Sequence, residues 1–160
     1  MNFTTADLCD AFPESVKVAE PLLLRYGGVS RFGGPMETLR VFEDNGLVRE
    51  TLETAGEARV LVVDGGGSLR TALVGGRLAA LAHANGWAGV VLNGCIRDSA
   101  EIADIPIGIR AVTTSPMRSS KEGAGTRGNA VAFAGLVFTP GHYLYSDQDG
   151  LLVASRSLTD

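Results

Sequence analysis

Two uninterrupted apolar runs bracket a helical repeat in the middle of the chain. Val60-Leu61-Val62-Val63 contains no polar position and ends at Asp64, and Ala88 to Leu92 is likewise continuous. Runs this short with no alternation predict strands buried on both faces. Between them Leu78, Leu81, Ala82 and Asn85 recur at i, i+3, i+4 and i+7, which is one face of an α-helix. Gly75 and Gly76 stand where the helix should begin, and Gly86 where it should stop. The pattern is a strand–loop–helix–strand unit. Two strands joined through a helix pair in parallel, with a right-handed crossover.

Weaker patterns fill in the rest. Thr4 to Phe12 reads as a short helix, capped by Thr4 with Asp7 three residues on and ended by Pro13. Residues 14–24 stay open: Glu20-Pro21 is a break, and Leu22-Leu23-Leu24 reads as buried. Gly27-Gly28 and Gly33-Gly34-Pro35 predict turns. Met36 to Phe42 alternates as a strand, with Met36, Thr38, Arg40 and Phe42 on one face. Asp44-Asn45-Gly46 is a turn signal, followed by an amphipathic helix from Leu47 to Thr54. Ile109 to Thr114 and Val131 to Phe138 are strand regions, the second interrupted by Gly135. Tyr143–Ser146 and Leu151–Ala154 form a hairpin around Asp149-Gly150. The Gly-rich stretch 117–129 is a loop, either mobile or ordered by a neighbour. With no repeat or linker, the fold class is α/β: one domain over residues 1–160, a mixed sheet and a central parallel βαβ unit.

Composition narrows the function classes. At 160 residues, 45% hydrophobic and 20% charged, the chain can bury a core and is not of disordered composition. A net charge of −4 with scattered Arg and Lys argues against a direct nucleic-acid surface. The two cysteines, Cys9 and Cys95, have no CxxC partner, which points to a reduced, cytoplasmic chain rather than a disulfide framework. The N-terminus reads as no signal peptide, and no stretch is long enough to span a membrane.

The central unit carries the chemistry. In open α/β sheets, ligands bind at the carboxyl edge of the strands. The helix start at residues 75–78 and the Arg97-Asp98 pair after the second strand both belong to that edge, so they should meet in space. A helix N-terminus offers unpaired N–H groups and the positive end of a dipole. Arginine adds a two-pronged donor for a carboxylate, and aspartate a hard oxygen for a divalent cation. The ligand that suits this set is a small carboxylate with a metal-binding oxygen, such as a 2-keto acid.

Rival readings are weaker. Asp64-Gly65-Gly66-Gly67-Ser68 follows a strand, but Arg70 stands where a dinucleotide loop has its third glycine, and no acid lies near position 85. A tight turn letting two backbones pass is the favoured account of that loop. His83 and His142 read as structural, Tyr143 and Tyr145 as core or interface aromatics. Ser68 and Ser99 have no histidine placed to make a triad. Arg97 and Asp98 alone are equally well an ion pair at a surface loop, worth about 0–1 kcal/mol. The glycine pair upstream favours the site.

Gly76, twenty residues, Arg97-Asp98, two more and then Glu101 match the G-x20-R-D-x2-E/D signature of class II pyruvate aldolases. The chain resembles the 4-hydroxy-4-methyl-2-oxoglutarate aldolases and the RraA-like proteins, named for regulation of ribonuclease E activity. Leu8-Cys9-Asp10, Phe42-Glu43-Asp44-Asn45-Gly46, Val62 to Ser68 and His142-Tyr143-Leu144-Tyr145 carry that likeness along nearly the full length. The resemblance implies a β/β/α swivelling-type fold, a ring-shaped homotrimer, and a metal-dependent aldolase that also decarboxylates oxaloacetate through a pyruvate enolate. It assigns substrate binding to the backbone of Gly75, Gly76, Arg77 and Leu78 and to Arg97. It assigns Mg²⁺ or Mn²⁺ to Asp98, with Glu101 acting through water. The alternative it carries is a non-catalytic protein that binds and inhibits ribonuclease E; the ribonuclease-regulating members resemble the same scaffold without the Arg-Asp pair. The general base is not identified.

Overall fold

The computed structural model describes residues 2–159. In chain order it contains α1 (Thr5–Ala11), β1 (Val16–Val18), β2 (Leu24–Arg25), β3 (Phe32–Arg40), α2 (Gly46–Leu52), β4 (Val60–Asp64), β5 (Ala72–Val74), α3 (Gly76–Ala84), β6 (Gly89–Asn93), β7 (Cys95–Ile96) and α4 (Ser99–Ile102). It continues with β8 (Gly108–Ala111), β9 (Thr113–Thr114), β10 (Thr126–Arg127), β11 (Val131–Phe133), β12 (Leu136–Phe138), β13 (Tyr143–Ser146) and β14 (Leu151–Ala154).

The main sheet is mixed, in the order β1-β14-β13-β3-β4-β6-β8-β2, with β10 added against β3. Its centre, β3-β4-β6-β8, is parallel, and its flanks are antiparallel. The expected βαβ unit is present as β4–α3–β6. The unbroken apolar runs follow from burial on both faces. Leu61, Val63, Val90 and Leu92 pack with Val48 and Leu52 of α2 and Ala79 and Ala82 of α3. Val60, Val62 and Val91 pack on the opposite side with Leu136 and Phe138 of the β11–β12 hairpin and Leu144 of β13. Helices, sheet and hairpin therefore stack as α, β and β layers. A smaller cluster seats α1, with Leu8 against Tyr145 and Leu152.

Several expectations are confirmed in detail. Thr4 caps α1 by accepting the Asp7 N–H at 3.0 Å. The C-terminal hairpin pairs Tyr143 with Ala154 and Ser146 with Leu151. Others are corrected. Gly33-Gly34-Pro35 is not a turn: it lies within β3, where Gly33 pairs with Tyr145 and Pro35 with Tyr143. The first half of β3 runs along β13 and the second half along β4, so small residues mark a strand that changes neighbours. The 131–138 region is a hairpin, turning at Ala134-Gly135, both at positive φ. The 117–129 loop is ordered by neighbours, through β10 on β3 and bridges from Arg118 to Ala72 and Ser120 to Asp44.

A second, three-stranded parallel sheet, β5-β7-β9, was not foreseen. Three of the four parallel strands of the main sheet lead on into one short strand each of this small sheet: β4 into β5, β6 into β7, β8 into β9. It stands beyond the carboxyl ends of the main strands and decides what meets there.

Candidate active site

The helix start and the Arg-Asp pair do come together, but through the small sheet rather than directly through the crossover. Val74 of β5 is in register with Ile96 of β7, and the Arg97 N–H donates to the Val74 carbonyl at 3.0 Å. The chain leaves β5 into Gly75-Gly76 and leaves β7 into Arg97-Asp98, so both pairs emerge side by side.

The contacts there are close. Asp98 Oδ2 accepts the Gly76 N–H at 2.9 Å, an acid set against the N-terminus of α3. A Cβ added at Gly75 would lie 2.8 Å from Asp98 Oδ2 and 3.4 Å from Arg97 Nε. One added at Gly76 would lie 2.2 Å from Glu101 Oε2. Gly75 thus makes room for the Arg97-Asp98 pair, and Gly76 for Glu101 of α4. Asp98 has φ 57° and ψ 43°, a left-handed conformation that costs a non-glycine residue of order 1–3 kcal/mol. It stands at the N-cap position of α4 with its carboxylate turned to α3, and Glu101 lies in the first turn of α4.

These groups line a cavity of about 700 Å³. Gly75, Arg77, Leu78, Arg97, Asp98 and Glu101, all singled out from the sequence, contribute to its wall. Gly76 sits behind it, buried under Glu101. Asn45, Arg49, Arg118, Ser119 and Lys121, not picked out from the sequence, supply the opposite side. Five basic side chains face two acidic ones, and among the described residues only Arg49 of the five is held in an ion pair, with Glu53 at 3.0 Å. A chain of net charge −4 therefore carries a cationic cavity, which focuses anionic ligands. The weak sequence signal for the missed wall was the closely spaced cations Arg118 and Lys121 in a Gly-rich loop.

The chemistry of the donors is well defined. Ala79 makes the first intrahelical bond of α3, to Gly75. That leaves the N–H groups of Gly76, Arg77 and Leu78 without partners inside the helix, and Asp98 takes the first. Asp98 and Glu101 are both exposed at the cavity, and no group of three or more His, Cys, Asp or Glu side chains suited to a metal occurs among the described residues. Two carboxylates with room for water fit a hydrated hard cation such as Mg²⁺ or Mn²⁺, not a caged thiolate or imidazole metal.

Other candidates lie elsewhere. The Asp64–Ser68 loop lines no part of this cavity. Gly65 and Gly67 donate to the Asn93 carbonyl, at 3.1 Å each, and a Cβ at Gly66 would meet the Phe42 ring at 2.9 Å. The loop is a tight crossing of backbones. His83 and His142 are also outside the cavity wall. Cys95 is a free, buried thiol, pushed above its ordinary pKa by burial, and Cys9 is free as well.

A family model described as RraA-like, aldolase/RraA, matches residues 5–153. A protein of Dechloromonas aromatica named "Putative 4-hydroxy-4-methyl-2-oxoglutarate aldolase" is 53% identical over 99% of this chain and 100% of its own. One of the same name from Burkholderia multivorans is 52% identical over 99% of this chain. Among solved structures, the RNA-processing inhibitor RraA of a Thermus species superposes with a TM-score of 0.95 at 46% identity, covering 99% of this chain and 96% of its own. A Geobacillus kaustophilus protein described as an S-adenosylmethionine:2-dimethylmenaquinone methyltransferase superposes equally well, with a TM-score of 0.95 at 52% identity over 98% of this chain and 97% of its own.

Proposed function

The chain belongs to the RraA-like family, and from that premise we propose that it is a carbon–carbon lyase cleaving 4-hydroxy-4-methyl-2-oxoglutarate to two molecules of pyruvate. Decarboxylation of oxaloacetate to pyruvate is the companion reaction, because both cleavages leave the same electron pair on a pyruvate skeleton. The observation that carries the reading is the β5–β7 register, which sets the Arg97 side chain beside the amides that open α3.

In this reading the substrate's 1-carboxylate takes the free N–H groups of Arg77 and Leu78. Gly75 lies on the cavity wall, while Gly76 makes room for Glu101. Arg97 donates to the 2-keto oxygen. When the C3–C4 bond breaks, its electrons flow toward that oxygen, and the proton of the C4 hydroxyl leaves. The guanidinium meets charge that is absent in the ground state, so its effect falls on the transition state. Protonation at C3 then gives pyruvate. Asp98, with Glu101 through water, would hold a divalent cation, which supplies further stabilisation of the developing oxyanion when bound.

The test is direct. Purified protein is mixed with 4-hydroxy-4-methyl-2-oxoglutarate and Mg²⁺, and pyruvate is followed with and without EDTA. Pyruvate release that EDTA abolishes supports the lyase. Silence toward this substrate, together with tight binding to ribonuclease E, supports the second reading, which the likeness to the Thermus inhibitor favours. The same proposal includes the trimeric assembly implied by the resemblance. It draws support from large apolar side chains left exposed on the chain, among them Phe42, Leu69 and Met117. Light scattering at three times the chain mass is the expected result.

A further inference from the structure

The cationic wall formed by Arg118, Ser119 and Lys121 belongs to a loop with almost no apolar contact of its own: every residue from Ser120 to Ala130 is exposed. Something other than packing must hold it. Ser119 is stitched to β5, its hydroxyl donating to the Ala72 carbonyl at 2.7 Å. Beyond it one carboxylate gathers Glu122 and Gly123, while β10 holds the far end of the loop against β3. Asp44, 3% exposed, accepts the N–H of Glu122 on Oδ2 at 2.9 Å, and the N–H groups of Gly123 at 3.0 Å and Gly46 at 2.9 Å on Oδ1. Two main-chain bonds flank that grip: Asn45 N–H to the Ser120 carbonyl at 2.9 Å, and Ser120 N–H to the Glu43 carbonyl at 3.0 Å.

The surroundings of Asp44 are built for this. Glu43 sits at φ 52°, so consecutive acids can turn to different partners: Glu43 holds the Ser68 hydroxyl and the Arg70 guanidinium, both at 2.6 Å, while Asp44 holds the loop. A Cβ at Gly46 would lie 2.5 Å from the Gly123 nitrogen, so the start of α2 rests directly on the loop. Through Gly46 and Glu122, a single carboxylate ties together two walls of the cavity: the one with Asn45 and Arg49, and the one with Lys121.

We propose that Asp44 is a positioning residue of the active site, which fixes the Lys121 loop against α2 and so presents its cations to an anionic substrate. The proposal rests on the lyase reading for its kinetic consequence but not for its structural one. Asp44→Asn keeps an acceptor for Gly46 and Gly123 and loses the one for Glu122. Expected is a rise in KM of about tenfold with kcat held within about twofold, the size that follows from losing one charge-assisted bond. Combined with Lys121→Ala, the effect of D44N on KM should largely vanish, because the carboxylate acts through that side chain. Independently of any activity, trypsin should cut at Arg118, Lys121 or Arg127 faster in D44N than in the wild-type chain. If the wild-type chain releases no pyruvate, the lyase reading fails, and the cleavage rate alone still decides the latch. Unchanged cleavage, an equal fall in kcat and KM effect, or full additivity with Lys121→Ala would overturn it.

Discussion

Gly76 concentrates the logic of the site in one position. Its N–H is taken by Asp98, and its missing Cβ leaves the space that the Glu101 carboxylate fills. Gly76→Ala should therefore leave the fold intact, since Glu101 is exposed and can swing aside and alanine suits a helix better than glycine. Thermal unfolding should move little, while the Mg²⁺ concentration needed for half-maximal pyruvate formation rises about tenfold or more, as loss of a supporting ligand typically does. Arg97→Ala makes the complementary prediction: turnover falls at least about a hundredfold, the usual cost of one oxyanion donor, with an unchanged circular dichroism spectrum. These side chains were legible in the sequence because glycine, arginine and aspartate each announce a specific capability. Arg49, Arg118 and Lys121 were not, because a surface cation looks the same whether it faces solvent or a cavity, and only the path of the chain distinguishes them.

Strands and helices were readable in proportion to their length and regularity. β4, β6, α3 and the β13–β14 hairpin follow directly from periodicity and turn chemistry. The short strands β5 and β7 do not: two or three residues carry no period, and their pairing depends on where longer strands end. That is why the meeting of Gly75-Gly76 with Arg97-Asp98 was anticipated while the sheet responsible for it was not. The β13–β14 turn makes its own prediction. Asp147 is buried; burial pushes its carboxyl upward, but the N–H and hydroxyl of Thr5 and the N–H of Asp149 outweigh that and hold it below the ordinary range. A depressed carboxyl contributes stability that is present above its unfolded value and lost as pH falls through its folded one. Asp147→Asn should lower the Tm near neutrality and flatten the remaining pH dependence below about pH 4. An unaltered acid profile in the variant would mean that the link between α1 and this turn contributes nothing.

Taken together, the molecule is a sheet covered on both faces, with a smaller sheet at its carboxyl edge that turns loop ends into a cavity. Among the described residues no helix is long and apolar enough to cross a membrane. The dinucleotide-like glycines after β4 show how such a scaffold can imitate another chemistry in sequence: the same Asp-Gly-Gly-Gly run that suggests a cofactor loop is a compact crossing, outside the wall of the cationic cavity. In the proposed mechanism Arg97 and its acidic neighbours stabilise an enolate at the mouth of α3. That role is read in the rate of pyruvate formation from oxaloacetate in the presence of Mg²⁺, for the wild-type chain beside Arg97→Ala and Asp98→Ala. Expected are metal-dependent turnover in the wild type and a loss of about a hundredfold or more in both variants while each stays folded. Turnover in either variant close to that of the parent would contradict that role.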